Sequence, residues 1–156
     1  MTAVVQRVSS ASVSVDGNVC GSCENGLFIL LGVAASDTEN DAIILAEKIK
    51  KLRVFSDENG KMNLSLIDVG GSALIVSNFT LLANYKHGNR PDYFGAASPE
   101  LANRLYEFFV GIMRESIKRV GTGIFGADMK IAASLDGPVT IVLESEVLKK
   151  SGKDKK

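Results

Sequence analysis

Leu27-Phe28-Ile29-Leu30-Leu31-Gly32-Val33 is almost wholly apolar. No alternation marks one face for water, so the run predicts a central strand buried on both faces. A chain with such a strand needs other layers on each side of it. A second run, Ala73-Leu74-Ile75-Val76, is short, partly β-branched and preceded by the turn signal Val69-Gly70-Gly71-Ser72. It closes into Ser77-Asn78-Phe79-Thr80-Leu81, where a buried strand turns polar. Hydroxyls and an amide at a strand end stand on a rigid support where a ligand can reach them. The plainer reading is that Ser77 and Thr80 bond nearby backbone.

Around these runs lie weaker signals. Val4, Gln6, Val8, Ser10, Ser12 and Ser14 alternate as in two short strands, and Asp16-Gly17 follows as a hairpin turn. A helix is expected from Ser36 or Asp37, with Ser36 and Glu39 as a capping box and Ala42, Leu45, Ala46, Ile49 and Leu52 as its core stripe. Lys48, Lys50 and Lys51 lie off that stripe, on what reads as a solvated face. Val54-Phe55 looks like a strand before the turn Asp57-Glu58-Asn59-Gly60. The segment 84–91 contains Lys86, His87 and Arg90 among turn residues. It reads as a surface loop whose cations suit a phosphate or sugar. A second helix is capped by Ser98, with Pro99 at its first position and Leu101, Leu105, Phe108, Ile112 and Met113 facing the core. Lys130-Ile131-Ala132-Ala133 and Val139-Thr140-Ile141-Val142-Leu143 read as strands around a turn at Leu135-Asp136-Gly137-Pro138.

The pattern predicts one α/β domain, a mixed sheet or partial barrel of short strands with two main helices, over residues 1–148. Residues 149–156, with five lysines, read as a flexible tail. The chain holds 18 Lys plus Arg and 18 Asp plus Glu, a formal net charge of zero. That disfavours a protein coating long nucleic acid, so no DNA partner is expected and any RNA contact should be local. The apolar stretch 26–35 is too short for a bilayer, and the N-terminal residues lack the regions of a signal peptide. A cytoplasmic location without a membrane partner is expected. Cys20 and Cys23 form a lone C-x-x-C with no helix after it and no second cysteine pair, so both read as packing residues.

Five segments resemble the D-aminoacyl-tRNA deacylase family: Ala3-Val4-Val5-Gln6-Arg7-Val8; Leu52-Arg53-Val54-Phe55 with Gly60-Lys61-Met62-Asn63; Gly88-Asn89-Arg90-Pro91-Asp92; Phe125-Gly126-Ala127-Asp128-Met129; and Asp136-Gly137-Pro138-Val139-Thr140. They run in order almost to Glu144. The resemblance implies a homodimer that hydrolyses the ester of D-aminoacyl-tRNA, and of glycyl-tRNA mischarged on tRNA-Ala, in chiral proofreading during translation. It implies a site at the dimer interface, with Gly137-Pro138 of one subunit, joined by a cis bond, entering the pocket of the other. Main-chain carbonyls there would hold the substrate ammonium and leave no room for an L side chain. Arg7 would brace this segment.

Ser77, Asn78, Phe79 and Thr80 would carry the chemistry, by either of two routes. Thr80 is a nucleophile, or backbone N–H groups of residues 78–80 bind the oxyanion while the neighbouring ribose hydroxyl assists water. Phe125 and Met129 would pack against the terminal adenine of the tRNA acceptor end, and Gly126 would take part in substrate binding. No metal or organic cofactor is implied. Asn78 stands where the family usually has Gln, and Leu135 where it usually has Asn. These departures keep open a weakened member that binds aminoacyl-tRNA, or one that edits a different substrate.

Overall fold

The structure is a computed structural model and describes residues 1–151. The frame is a twisted sheet built on one long strand, β1 (Thr2–Val15). The hairpin partner β2 (Asn18–Cys23) takes the far half of one edge of β1, and β3 (Gly26–Gly32) takes the near half. The hairpin turn is as expected: Asp16 and Gly17 have φ of 49° and 78°, the left-handed pair that matches strand twist. Beyond β3 come β6 (Ser72–Ser77) and then β7 (Val120–Thr122), both parallel to their neighbours. β7 returns against β2 and nearly closes a barrel. At that seam a Cβ on Gly121 would lie 2.8 Å from the Ser22 nitrogen and still closer to its carbonyl oxygen. Only glycines let two backbones approach so closely. Gly121→Ala is expected to destabilise the fold by about 2 kcal/mol, through overpacking with no side chain free to yield. Urea unfolding checks this, and an unchanged midpoint would show that the seam can open without cost.

Residues 27–32 of the apolar run form the double-faced strand expected of it, which ends at Gly32, one residue before Val33. Leu27, Ile29 and Leu31 point into the main core, against Leu45 and Ile49 of α1 (Glu39–Lys50) and Leu105, Phe109 and Met113 of α2 (Pro99–Arg114). Phe28 points the other way, into the barrel, with Val8, Val13, Leu74 and Val76. Each such buried side chain contributes roughly 2 kcal/mol of transfer free energy. β4 (Phe55–Ser56) and β5 (Met62–Leu64) form a small separate ribbon. Ser98 caps α2 as expected, its Oγ accepting from Leu101 N–H at 3.4 Å.

Several expectations are corrected. The alternating run 4–14 is one strand, because β8 (Lys130–Glu144) pairs along nearly its whole length and needs no break in it. α1 is capped by Thr38, whose N–H and Oγ both donate to Asp41 Oδ2 at 2.9 and 2.8 Å, and not by Ser36 with Glu39. Asp37 is drawn instead to the Met1 ammonium (2.6 Å) and to Ala34 N–H (2.6 Å). Lys50 is buried: its ammonium pairs with Glu47 and reaches Ile112 O and Ser116 Oγ, both at 3.4 Å. Cys20 is exposed while Cys23 is buried, and burial pushes the Cys23 thiol up to about 11, away from nucleophilic use.

The two strands expected around 135–138 are one strand, β8 (Lys130–Glu144), antiparallel to β1. A third helix follows, α3 (Ser145–Ser151), where a tail was expected from residue 149. Lys149 anchors it by an ion pair to Asp41 at 2.6 Å. The remainder of that tail lies outside the described residues. Among the described residues no helix is long and apolar enough to cross a membrane.

Candidate active site

β6 ends at Ser77, and the chain tightens at once into a 3₁₀ turn over Phe79–Leu82. Asn78 is the hinge between them, with extended backbone (φ −147°, ψ 94°) and its side chain folded back as a cap. Its Oδ1 accepts from Thr80 N–H at 3.2 Å and from Thr80 Oγ at 2.5 Å. Asn78 N–H donates to Leu31 O at 2.8 Å. The expected trio of oxyanion donors at 78–80 is therefore reduced to one. Asn78 and Thr80 use their N–H groups internally, and Phe79 N–H alone has no protein acceptor among the described residues. The Thr80 hydroxyl donates to an amide oxygen, which is not a base, and no hydrogen bond links it to His87.

This turn forms one wall of a cleft of about 770 Å³. Ser77, Asn78, Phe79 and Thr80 line it together with Phe125, Gly126 and Met129, so seven of the ten expected site residues meet in one cleft of the chain. Gly126 turns the 124–129 loop with φ of 77°. Tyr106 and Tyr93 also line the cleft, and sequence reasoning did not single them out. Tyr106 donates from its hydroxyl to Ile75 O at 2.8 Å, its ring 6.2 Å from that of Phe125. Burial raises its phenol well above the ordinary range, so it stays a neutral donor. The available signal was a polar-tipped aromatic inside the apolar stripe of α2, since a buried tyrosine needs an acceptor. Tyr93 meets Phe79 edge-on at 5.0 Å.

The other three residues lie elsewhere. In the pairing of β1 with β8, Gln6 faces Thr140 and Val8 faces Leu135. Arg7 alone thus stands opposite Asp136, Gly137, Pro138 and Val139, and these four must loop out of the ladder. The Gly137-Pro138 bond is cis, and Gly137 has φ of 133°. Arg7 holds the loop's root: its Nε donates to Asp136 O at 3.2 Å and pairs with Asp136 Oδ2 at 3.1 Å. Its Nη1 donates to Val54 O at 2.6 Å, tying the same root to the segment before β4. Gly137 and Pro138 are exposed, and neither lines the cleft of its own chain. Among the described residues β8 pairs with β1 alone, and it leaves Ile131, Leu135 and Val142 exposed.

A largely apolar cleft with a free main-chain donor at a strand end can hold a carbonyl oxygen. Comparison with known proteins makes this specific. A family profile described as D-Tyr-tRNA(Tyr) deacylase matches residues 4–144. A D-aminoacyl-tRNA deacylase of Anaeromyxobacter dehalogenans is 54% identical over 148 residues, covering 95% of this chain and 99% of its own. One of Sulfurihydrogenibium is 55% identical over 148 residues, covering 95% and 100%. The chain belongs to the D-aminoacyl-tRNA deacylase family, and its class of enzyme is hydrolase. Among solved structures, a c-Myc DNA unwinding element binding protein superposes with a TM-score of 0.88 at 40% identity, covering 92% of this chain and 98% of its own. A probable eukaryotic D-amino acid tRNA deacylase, 15% identical with a TM-score of 0.80, shares the fold.

Proposed function

We propose that this protein hydrolyses the ester between a D-amino acid and the terminal ribose of tRNA, as a homodimer in which Gly137-Pro138 of each subunit enters the cleft of its partner. The observation that carries this reading is the division of the site. One chain holds a cleft lined without Gly137 or Pro138, and displays those two on an exposed, Arg7-braced loop of β8, whose outer edge has no strand partner among the described residues. Such an edge, with Leu135 and Val142 exposed, favours a second copy as its cover.

In the proposed complex the terminal adenine packs on Phe125 and Met129, and Phe79 N–H receives the ester oxygen as it gains charge. Main-chain carbonyls of the partner's Gly-Pro loop hold the substrate ammonium. They admit a hydrogen on one side of the α-carbon and exclude a side chain there, so D-residues and glycine enter and L-residues do not. Thr80, bonded to Asn78 Oδ1 and lacking a base, positions the turn, and water attacks with help from the neighbouring ribose hydroxyl. A substrate made wherever tRNA is charged implies work in the cytoplasm.

Hydrolysis of D-tyrosyl-, L-tyrosyl- and glycyl-tRNA by the purified protein tests the whole reading. Loss of the D- and glycyl esters with the L-ester spared is expected. A folded dimer that hydrolyses none of them would favour the second reading, a member weakened at its site. The observation behind that alternative is the commitment of the shorter Asn78 amide to Thr80. Thr80→Ala is expected to keep kcat within about fivefold of the parent, because only an uncharged hydrogen bond is removed. A loss beyond about a hundredfold with unchanged substrate binding would make Thr80 the nucleophile.

A further inference from the structure

Residues 84–94 form an arm beside the cleft that the reading above leaves without a role. Its base is a double clamp. Asn84 N–H donates to Asp92 O at 2.8 Å, Asp92 N–H donates to Asn84 O at 2.9 Å, and Asn84 Nδ2 donates to Asp92 Oδ2 at 2.9 Å. The remaining oxygens of both side chains are also engaged, Asn84 Oδ1 by Lys86 N–H and Asp92 Oδ1 by Phe94 N–H, each at 3.3 Å. Just past the clamp, Ala35 N–H donates to Gly95 O at 3.0 Å and Ala97 N–H to Val33 O at 2.9 Å, fixing the root to the end of β3. The support is therefore built, while what it displays is bare. Phe94 is 92% exposed and Tyr85 is 77% exposed. Lys86 and Arg90 have no acidic partner among the described residues, and the arm's one carboxylate, Asp92, is committed to the clamp.

The arm is continuous with the cleft. Tyr93, next to Phe94, meets Phe79 edge-on at 5.0 Å, and both rings line the cavity. Flat exposed rings interleaved with free cations suit a single-stranded nucleic acid, whose bases stack and whose phosphates need positive charge. A protein partner would gain little from unpaired cations in the same patch.

We propose that this arm receives the unpaired nucleotides preceding the terminal adenosine of the tRNA, their bases stacking on Phe94 and Tyr85 and their phosphates facing Lys86 and Arg90. The inference rests on the proposed D-aminoacyl-tRNA substrate and extends it beyond the last nucleotide.

The test compares one D-tyrosyl ester on full-length tRNA and on adenosine alone, with the wild-type protein, Phe94→Ala, Tyr85→Ala and Lys86→Ala/Arg90→Ala. On tRNA, each aromatic variant should raise KM about tenfold with kcat little changed, the loss of one base stack. The double cation variant should flatten the salt dependence of KM. On the adenosine ester all variants should match the wild type. Equal losses on both esters, no loss on either, or a shift in oligomeric state by sedimentation on removing Phe94 would overturn the proposal. The last would make the arm an interface between copies. Binding of an uncharged CCA-ended RNA hairpin separates this inference from the catalytic reading. Binding weakened about tenfold by Phe94→Ala supports the arm even if no ester is cleaved, and unweakened binding overturns it.

Discussion

Gly137→Ala is expected to cut D-aminoacyl-tRNA hydrolysis by about a hundredfold or more while leaving the protein folded. Gly137 has φ of 133°, a region that L side chains rarely adopt. A Cβ there would lie 2.7 Å from the Val139 nitrogen and 2.9 Å from its Cγ2. The main chain must shift to accommodate it, and a shift of the order of 1 Å in groups that position a substrate is enough for such a loss. The local strain amounts to about 1–3 kcal/mol, and the loop is exposed and outside the ladder, so the fold can absorb it. Kinetics on the D- and L-esters, with circular dichroism as the folding control, check the outcome. Wild-type turnover with intact rejection of the L-ester would remove the Gly-Pro loop from the site.

Asp41→Asn should lower stability by about 3 kcal/mol at pH 7 and by about 1 kcal/mol less than that at pH 3. Asp41 is buried where α1, α3 and the N-terminus meet. Its carboxylate accepts from Ser145 Oγ at 2.6 Å and from Thr38, and pairs with Lys149 at 2.6 Å, while Ser145 Oγ accepts in turn from the Met1 ammonium at 2.7 Å. Burial disfavours the charge, but the bonds from Lys149, Ser145 and Thr38 outweigh it and hold the carboxyl well below the usual range. The sign follows from that depression. The folded state binds its proton less readily than the unfolded chain, so the carboxylate's stabilisation is complete above about pH 4 and fades as pH falls toward the folded value. At the other end of the scale, Asp41 raises the Lys149 ammonium, so the Lys149 contribution persists until strongly alkaline pH. Much of the Lys149 side chain reaches solvent, so that pair is partly screened and most of the effect comes from the buried hydrogen bonds. Urea unfolding of both proteins at pH 7 and pH 3 measures this, and an equal difference at the two pH values would contradict it.

Local pattern made much of the architecture readable. An apolar run without alternation has to be covered on both faces, and 27–33 is. Ser98 and Pro99 specify a helix start through the chemistry of the first turn alone, and α2 begins there. Ser77 to Thr80, Phe125, Gly126 and Met129 were identifiable as one group because the resemblance carried them, and they line one cleft. The α1 cap was misplaced by two residues, a local slip, whereas other interactions that sequence reading misplaced or passed over are long-range. Asp41, three residues past a cap, serves as an ordinary first-turn acid until Ser145 and Lys149 arrive from the far end of the chain. Lys50 looks like a solvated cation until α2 covers it with Ile112 O and Ser116 Oγ.

The Gly-Pro segment shows the same division. Gly and Pro in sequence announce a departure from regular backbone, and any hairpin would satisfy them. Whether they turn the chain or bulge from a continuous strand depends on β1. That strand supplies one residue, Arg7, opposite four of β8. Asn78 marks the other limit. Its amide was visible as a substitution within a motif. Only the folded turn brings its Oδ1 to 2.5 Å from the Thr80 hydroxyl and leaves Phe79 N–H as the free donor. Periodicity and turn chemistry act between neighbours in the chain, so they can be read in order along it. Donor supply, burial of charge and the pairing of distant strands are decided by which segments meet, and these emerged only with the tertiary structure.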